Sequence, residues 1–227
     1  MDILDVLFGK SLKTKEDKAV VYKKIYDDYV LTFDAVDNGV SQYPAEVKPA
    51  YRNASDIFSM VARLNPSWNE PSKDHDGCFR QAMDLVGNDF ISFSKQVVES
   101  WLPAKELLWS SAKASLGRVL IMETSFPWKE HLFNYESEMN MKGHFLYAVF
   151  PDETNKDWRV QAVPVDPDSF QCRLNLPSEW RGLRNTDLDS LLGYEGCVFV
   201  HASGFIGGHK TKEGALQMAS SSISLMQ

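Results

Sequence analysis

The chain lacks most of what would mark a secreted or membrane protein. It has only three cysteines in 227 residues, Cys78, Cys172 and Cys197. They are odd in number and far apart, and no CxxC or Cys/His zinc spacing occurs. Reduced thiols in an intracellular protein are therefore expected, rather than a disulfide framework or a zinc module. The longest apolar runs, Phe145–Phe150 and Cys197–Val200, are too short to span a bilayer, so no membrane partner is expected. The first segment, "MDILDVLFGKSLKTKEDK", is acidic at positions 2 and 5. It has neither the basic start and apolar stretch of a signal peptide nor the Arg-rich, acid-poor character of a mitochondrial presequence. Positive charge is also in short supply. A net charge of −7 excludes a bulk electrostatic nucleic-acid binder, though not a local basic pocket. There is no internal repeat and no low-complexity tract beyond "SSSIS".

What is present suits a packed core: 44% hydrophobic and 12% aromatic residues, in a length fit for one large domain or two small ones. In residues 15–36, Val21, Tyr22, Ile25, Tyr26, Tyr29, Val30 and Phe33 form a wide apolar stripe at helical spacing, closed by the turn signal "DNG". A shorter helix is expected over 53–64. The long segment 72–102 repeats Phe79, Met83, Val86, Phe90, Phe93 and Val97 at spacings of three and four, a stripe expected to be core. Pro103 follows, with Leu107, Leu108 and Trp109 as an extension.

The period then changes. Residues 118–124, 144–152, 157–166 and 196–204 have the β-branched and aromatic content and the polar, Gly or Pro borders of strands, with "PDETNKD" as a hairpin connection. A short helix at 186–192 and a closing helix from about Thr211 to Met226 complete the pattern. The expected fold class is α+β: a helical N-terminal half, then a mixed β-sheet half with a closing helix.

Four segments carry candidate chemistry. In "HASGFIGGHKTKEGAL", Gly204, Gly207 and Gly208 allow positive φ and close approach of a ligand. His209 can donate to a phosphate, and Lys210 and Lys212 add positive field before a helix start. A structural turn fits the same spacing. Asp34 and Asp37, three apart at a helix end, can hold Mg²⁺ or Mn²⁺, but an ordinary capped turn has the same pattern. "FPWKEHL" offers Trp128, Lys129 and His131 for a base and a phosphate, or else a core tryptophan with polar neighbours. Arg173, Arg181 and Arg184 on an irregular segment could grip phosphate, or form surface ion pairs.

Taken in order, "DAVDNGVSQ", "ARLNPSWN", "FRQAMDLV", "SWLPA", "PWKEHL", "WRVQAVP", "SFQCRLNLPSEWRGLR" and "CVFVHASGFIGGHKTKEGAL" closely resemble the melanocyte-proliferating-gene (Myg) family, a branch of the DHH phosphoesterase superfamily, over residues 5–222. The resemblance implies a metal-dependent 3′–5′ exoribonuclease of nucleus and mitochondrion, using Mn²⁺ or Mg²⁺ on an α/β catalytic domain joined to a substrate-binding domain. It implies a metal-ligand and catalytic role for Asp37, with Asp34 beside it. It also implies a substrate loop of Gly207, Gly208 and His209, with Lys210, Arg181, Arg184, Lys129 and His131 as further phosphate contacts.

The family's "HxGxFHxDE"-type and "DHH"-type metal motifs do not occur here. The implied division is a catalytic-domain remnant at 1–45, a helical connector at 46–115 and a substrate-binding domain at 116–227. Hydrolysis by this chain alone is expected to be weak or nil. The alternatives are a non-catalytic RNA- or nucleotide-binding module, or a regulatory partner of a full-length relative. Without a catalytic sheet to cover it, the stripe bearing Tyr22, Tyr26 and Phe33 should be partly exposed and favour self-association.

Overall fold

The computed structural model describes residues 3–72, 74–154 and 156–225. They form two compact units, 1–102 and 103–227.

The first unit is helical: α1 (Ile3–Phe8), α2 (Lys15–Ile25), a π-type turn (Tyr26–Val30), α3 (Leu31–Asp37), α4 (Ile57–Ala62) and α5 (His75–Gln96). The helix over 15–36 is therefore present and ends at the expected turn. Its start is set by Thr14, whose hydroxyl accepts from Asp17 N at 2.9 Å. Glu16 and Asp17 oppose the positive end of the helix. Asp56 and Asp74 cap α4 and α5 in the same way, accepting from Ser59 N at 2.9 Å and Gly77 N at 2.8 Å. The core joins Leu4, Phe8 and Leu12 to Val21 and Ile25 and to Val97 and Val98. Helix α1, unforeseen in the sequence, thus supplies part of this core. Beside it Tyr29 meets Phe33, Phe90 and Phe93 at 5.2, 5.5 and 5.3 Å between ring centres, and donates to Asp89 at 2.9 Å.

The expected core stripe of α5 holds only in its second half. Phe79 and Met83 are 66% and 58% exposed, because no described apolar cluster of this unit reaches the first turns of α5. Tyr22 and Tyr26 are also exposed, as expected, and Phe33 is partly exposed and packs on Phe58. A second π-type turn (Val97–Trp101) precedes α6 (Leu102–Ala114). It lies where Pro103 withholds the N–H that a regular helix would use, and the wider turn accommodates that loss.

The second unit is a five-stranded mixed sheet in the order β1 (Val119–Ile121), β2 (Tyr147–Pro151), β3 (Trp158–Ala162), β5 (Ile206–His209), β4 (Cys197–Val200). The first pair is parallel and the other three are antiparallel. The β2–β3 hairpin closes where "PDETNKD" predicted, with Asp152 N donating to Asp157 O at 2.8 Å. Parallel β1 and β2 require a crossover. Helix α7 (Lys129–Glu138) supplies it, in a segment whose apolar spacing gave no helix expectation.

The two faces of β2 are buried by different elements, which is why the strand is apolar throughout. Tyr147 and Val149 join Ala215, Met218 and Ala219 of α9 (Lys212–Leu225), with Leu188 of α8 (Asn185–Leu192). Ala148 and Phe150 join Leu108 and Ala112 of α6 and Trp128, Leu132 and Tyr135 along α7. Helix α8 matches the expected 186–192. Helix α9 starts at Thr211, whose hydroxyl accepts from Gly214 N at 3.1 Å; the expected end at Met226 lies outside the described residues.

The segment expected to be a glycine-rich loop is the second arm of a hairpin. The chain turns at His201–Phe205, with Gly204 at φ +75°, and re-enters the sheet as β5. Gly207 and Gly208 are strand residues outside the positive-φ region, so the expected left-handed turn applies to Gly204 only.

Candidate functional site

The glycines of β5 are explained by their neighbours. A Cβ on Gly207 would lie 3.1 Å from Leu176 Cδ1 and Met218 Cε, on the α9 side of the sheet. One on Gly208 would lie 2.8 Å from Arg159 Nη1 and 3.0 Å from Phe199 Cε1, on the opposite side. One on Gly214 would lie 1.9 Å from His209 Cε1. The "GGH" stretch is therefore divided between two faces, as strand alternation demands.

His209 is 4% exposed. Thr211 N donates to its Nδ1 at 3.0 Å, so Nε2 carries the proton and donates to Glu195 O at 3.1 Å. Both ring nitrogens are thus engaged by backbone, and the ring lies between Gly196 and Gly214. It ties the loop before β4 to the start of α9. The nearby thiol of Cys197 is pushed up to about 12 by burial, with Asp189 adding to the shift, so it is a poor nucleophile. Asp189 is held below the ordinary carboxylate range, chiefly because Cys197 N donates to it.

The other expected contacts differ in their freedom. Arg173 is not a surface cation. It forms a bidentate pair with Glu136 at 2.7 and 2.8 Å, donates to Phe145 O at 2.9 Å, and stacks on Phe133 at 4.7 Å. Lys212 pairs with Glu123 and lies over Trp158. Trp128 is a core residue, and His131 is buried and partnered. By contrast, Lys129, Lys210, Arg181 and Arg184 have no carboxylate at ion-pairing distance among the described residues. They do not form one cluster. Arg181 donates to Leu176 O at 2.9 Å and lies over Gly204 at the hairpin end of β5, Lys210 follows the other end, and Lys129 opens α7.

Asp34 and Asp37 are exposed on α3, in the first unit. Among the described residues no group of three or more His, Cys, Asp or Glu could hold a metal ion. Two exposed carboxylates do not make the donor set of a divalent phosphoesterase centre. The residues present therefore do not fit the metal that the resemblance implies, and no chemical step is derived through one.

Sequence reasoning missed Arg159 and Phe199. Arg159 donates to Asp152 at 3.0 Å, sits 3.8 Å from Asp157, and lies 5.5 Å from the Phe199 ring centre. The alternation of strands β3 and β4 carried the signal, but their pairing partner β5 was not foreseen as a strand.

The architecture is thus an α+β protein with a helical unit and a mixed-sheet unit. The MYG1_exonuc family model, described as "Uncharacterised protein family (UPF0160)", matches residues 2–223, and the chain belongs to that family. It is 45% identical over 217 residues to a MYG1 protein of Schizosaccharomyces pombe, covering 94% of this chain and 66% of that one. It is 45% identical over 226 residues to the MYG1 exonuclease of Mus musculus, covering 96% of this chain and 59% of that one. Identity to the MYG1 exonuclease of Homo sapiens is 42% over 226 residues, with coverage of 96% and 60%. The chain therefore spans between 59% and 66% of the length of these relatives. No solved structure matches it.

Proposed function

We propose that this chain contributes the substrate-binding part of a metal-dependent 3′–5′ exoribonuclease, a phosphodiester hydrolase of RNA processing. The observation that carries the reading is the extent of the likeness: relatives named MYG1 exonuclease align with 96% of the chain. Arg181, Arg184, Lys210 and Lys129, which have no carboxylate at ion-pairing distance among the described residues, supply positive charge that a phosphate backbone would use within an otherwise acidic protein. Asp37 is the ligand this chain would add to a Mn²⁺ or Mg²⁺ centre, with Asp34 beside it. Such a centre would need donors beyond these two carboxylates. RNA ends are the proposed partner and nucleus and mitochondrion the proposed compartments. His209 acts in this reading by fixing the start of α9 rather than by touching phosphate.

The purified chain, offered a short 3′-labelled RNA with Mn²⁺, Mg²⁺ or chelator, is expected to release no nucleoside 5′-monophosphate above the chelator control. Metal-dependent release that disappears in Asp37→Ala would mean that a working centre assembles on these residues, and would overturn the reading of this chain as a binding part. A second reading, a non-catalytic nucleotide-binding module or regulatory partner of a longer relative, rests on the same cations and on the lack of a metal-ligating group among the described residues.

The exposed Tyr22, Tyr26, Phe79 and Met83 support self-association of the helical unit. Light scattering is expected to give a mass above that of one 25.7 kDa chain at micromolar concentration. A strict monomer would dismiss it.

A further inference from the structure

One side of the sheet carries a lateral row that runs through five chain segments in register. Phe150 lies opposite Arg159, Arg159 opposite Gly208, Gly208 opposite Phe199, and Phe199 opposite Arg184. Residues directly opposite one another share a face, so these side chains line one surface, the one away from α9. At the β2 end Phe150 is buried with Trp128 and Leu132. At the β4 end it is different. Phe199 belongs to neither apolar cluster of the sheet unit. Its ring instead has two guanidinium neighbours, Arg159 at 5.5 Å and Arg184 at 5.8 Å.

The two arginines are not equivalent. Arg159 is half-buried and committed to Asp152 and Asp157, and it reaches Phe199 only because Gly208 has no side chain beneath it. Arg184 is exposed, and its charge has no carboxylate partner among the described residues. Arg159 also borders a cleft of about 390 Å³ lined by Phe150, Asp152, Glu153 and Thr154, within the size range of small-molecule sites. The surroundings of the row therefore differ in charge: Asp152 and Glu153 line the cleft beside Arg159, and Arg184 at the outer edge has no carboxylate partner among the described residues.

We propose that this row is a nucleotide-docking surface, in which a base stacks at Phe199 and the attached phosphate is held by Arg184. Aromatic rings and guanidinium planes both stack on bases, and only a guanidinium also grips phosphate. The acidic cleft repels phosphate, so the ligand lies with its sugar and base toward Arg159 and its phosphate toward the sheet edge. The proposal deepens the substrate-binding reading above by giving it a surface, and it does not depend on hydrolysis.

Equilibrium binding of fluorescently labelled five-nucleotide RNA to the full chain, in chelator so that no turnover can intervene, provides the test. Competition by AMP, by adenosine and by inorganic phosphate is measured beside it. Arg184→Gln is expected to weaken RNA and AMP about tenfold, to leave adenosine unchanged and to flatten the salt dependence. Phe199→Leu is expected to weaken every base-bearing ligand about tenfold and to leave inorganic phosphate unchanged. Arg184 is exposed, so its substitution tests the site even if Phe199→Leu disturbs folding. Comparable affinity for AMP and RNA identifies a free-nucleotide site, and strong preference for RNA identifies a strand-binding one; both support the surface. No wild-type binding, or unchanged binding in Arg184→Gln, overturns it. Metal-dependent nucleotide release would overturn the binding-part reading without touching this result, and unchanged binding in Arg184→Gln would overturn the surface without touching that reading, so the two fail separately.

Discussion

Replacing Arg173 with alanine is expected to destabilise the sheet unit by about 3–5 kcal/mol, the cost of leaving a buried charge without its partner. The carboxylate left behind belongs to Glu136, whose side chain is 1% exposed while that of Arg173 is 11% exposed. Glu136 would keep its backbone donors, Gly143 N at 3.1 Å and Phe145 N at 2.9 Å, but would lose both guanidinium bonds. Phe145 O would lose its donor and Phe133 its stacked cation. The damage is not confined to one spot, since Glu136 belongs to the crossover helix α7 and Phe145 leads into β2. Chemical denaturation gives the size directly. Lys23→Ala, which removes an exposed pair with Asp27 one helical turn away, serves as the comparison and should cost no more than about 0.5 kcal/mol. A loss from Arg173→Ala as small as that of Lys23→Ala would mean that water reaches Glu136. The double change Glu136→Leu with Arg173→Met should recover much of the stability, because no charge is then stranded.

The second large effect is expected at Gly214, where a single methyl group has nowhere to go. Its Cβ would lie 1.9, 2.1 and 2.3 Å from three atoms of the His209 ring. The ring is buried and bonded at both nitrogens, so it cannot step aside without releasing Glu195 O and Thr211 N. Gly214→Ala is expected to cost about 3 kcal/mol from overpacking and lost hydrogen bonds, and to lower Tm by on the order of 10 °C. His209→Ala should also destabilise, as an emptied site between two glycines. The double variant should recover part of the loss, since the new methyl group then enters space the ring has vacated. Gly87 in α5 provides the opposite case. A Cβ there would meet nothing within 4 Å, so Gly87→Ala should stabilise by about 1 kcal/mol through helix propensity alone. Equal melting of Gly214→Ala and wild type would show that the His209 ring is not held where it lies.

These two sites show how sequence and structure share the explanation. The "GGHKTKEGA" stretch raised the right question about glycine, since a glycine at a junction marks a place where a side chain would collide. It could not say with what. Gly214 is spaced from His209 by five residues and Gly196 by thirteen in the other direction, yet both exist to admit the same ring. Only the hairpin of β4 and β5 brings them together. Arg173 tells the same story about charge: an arginine in an irregular segment is locally indistinguishable from a surface cation. Its partner Glu136 is thirty-seven positions away on a helix that the spacing of "PWKEHL" did not announce.

The sequence by itself determined the α+β class and the switch from helical to alternating period near residue 118. It also determined the 15–36 helix with its "DNG" stop, and membership in the MYG1 family through motifs in fixed order. These depend on neighbours a few residues apart, through periodic burial and local hydrogen bonding. The tertiary structure decided that "IGGH" is a strand, that Arg173 is buried and that Arg184 is exposed. It also decided that Phe150, Arg159, Gly208, Phe199 and Arg184 share one row. Register between strands is set by long-range pairing and by which face finds a partner in the core, and no local pattern in the chain encodes that.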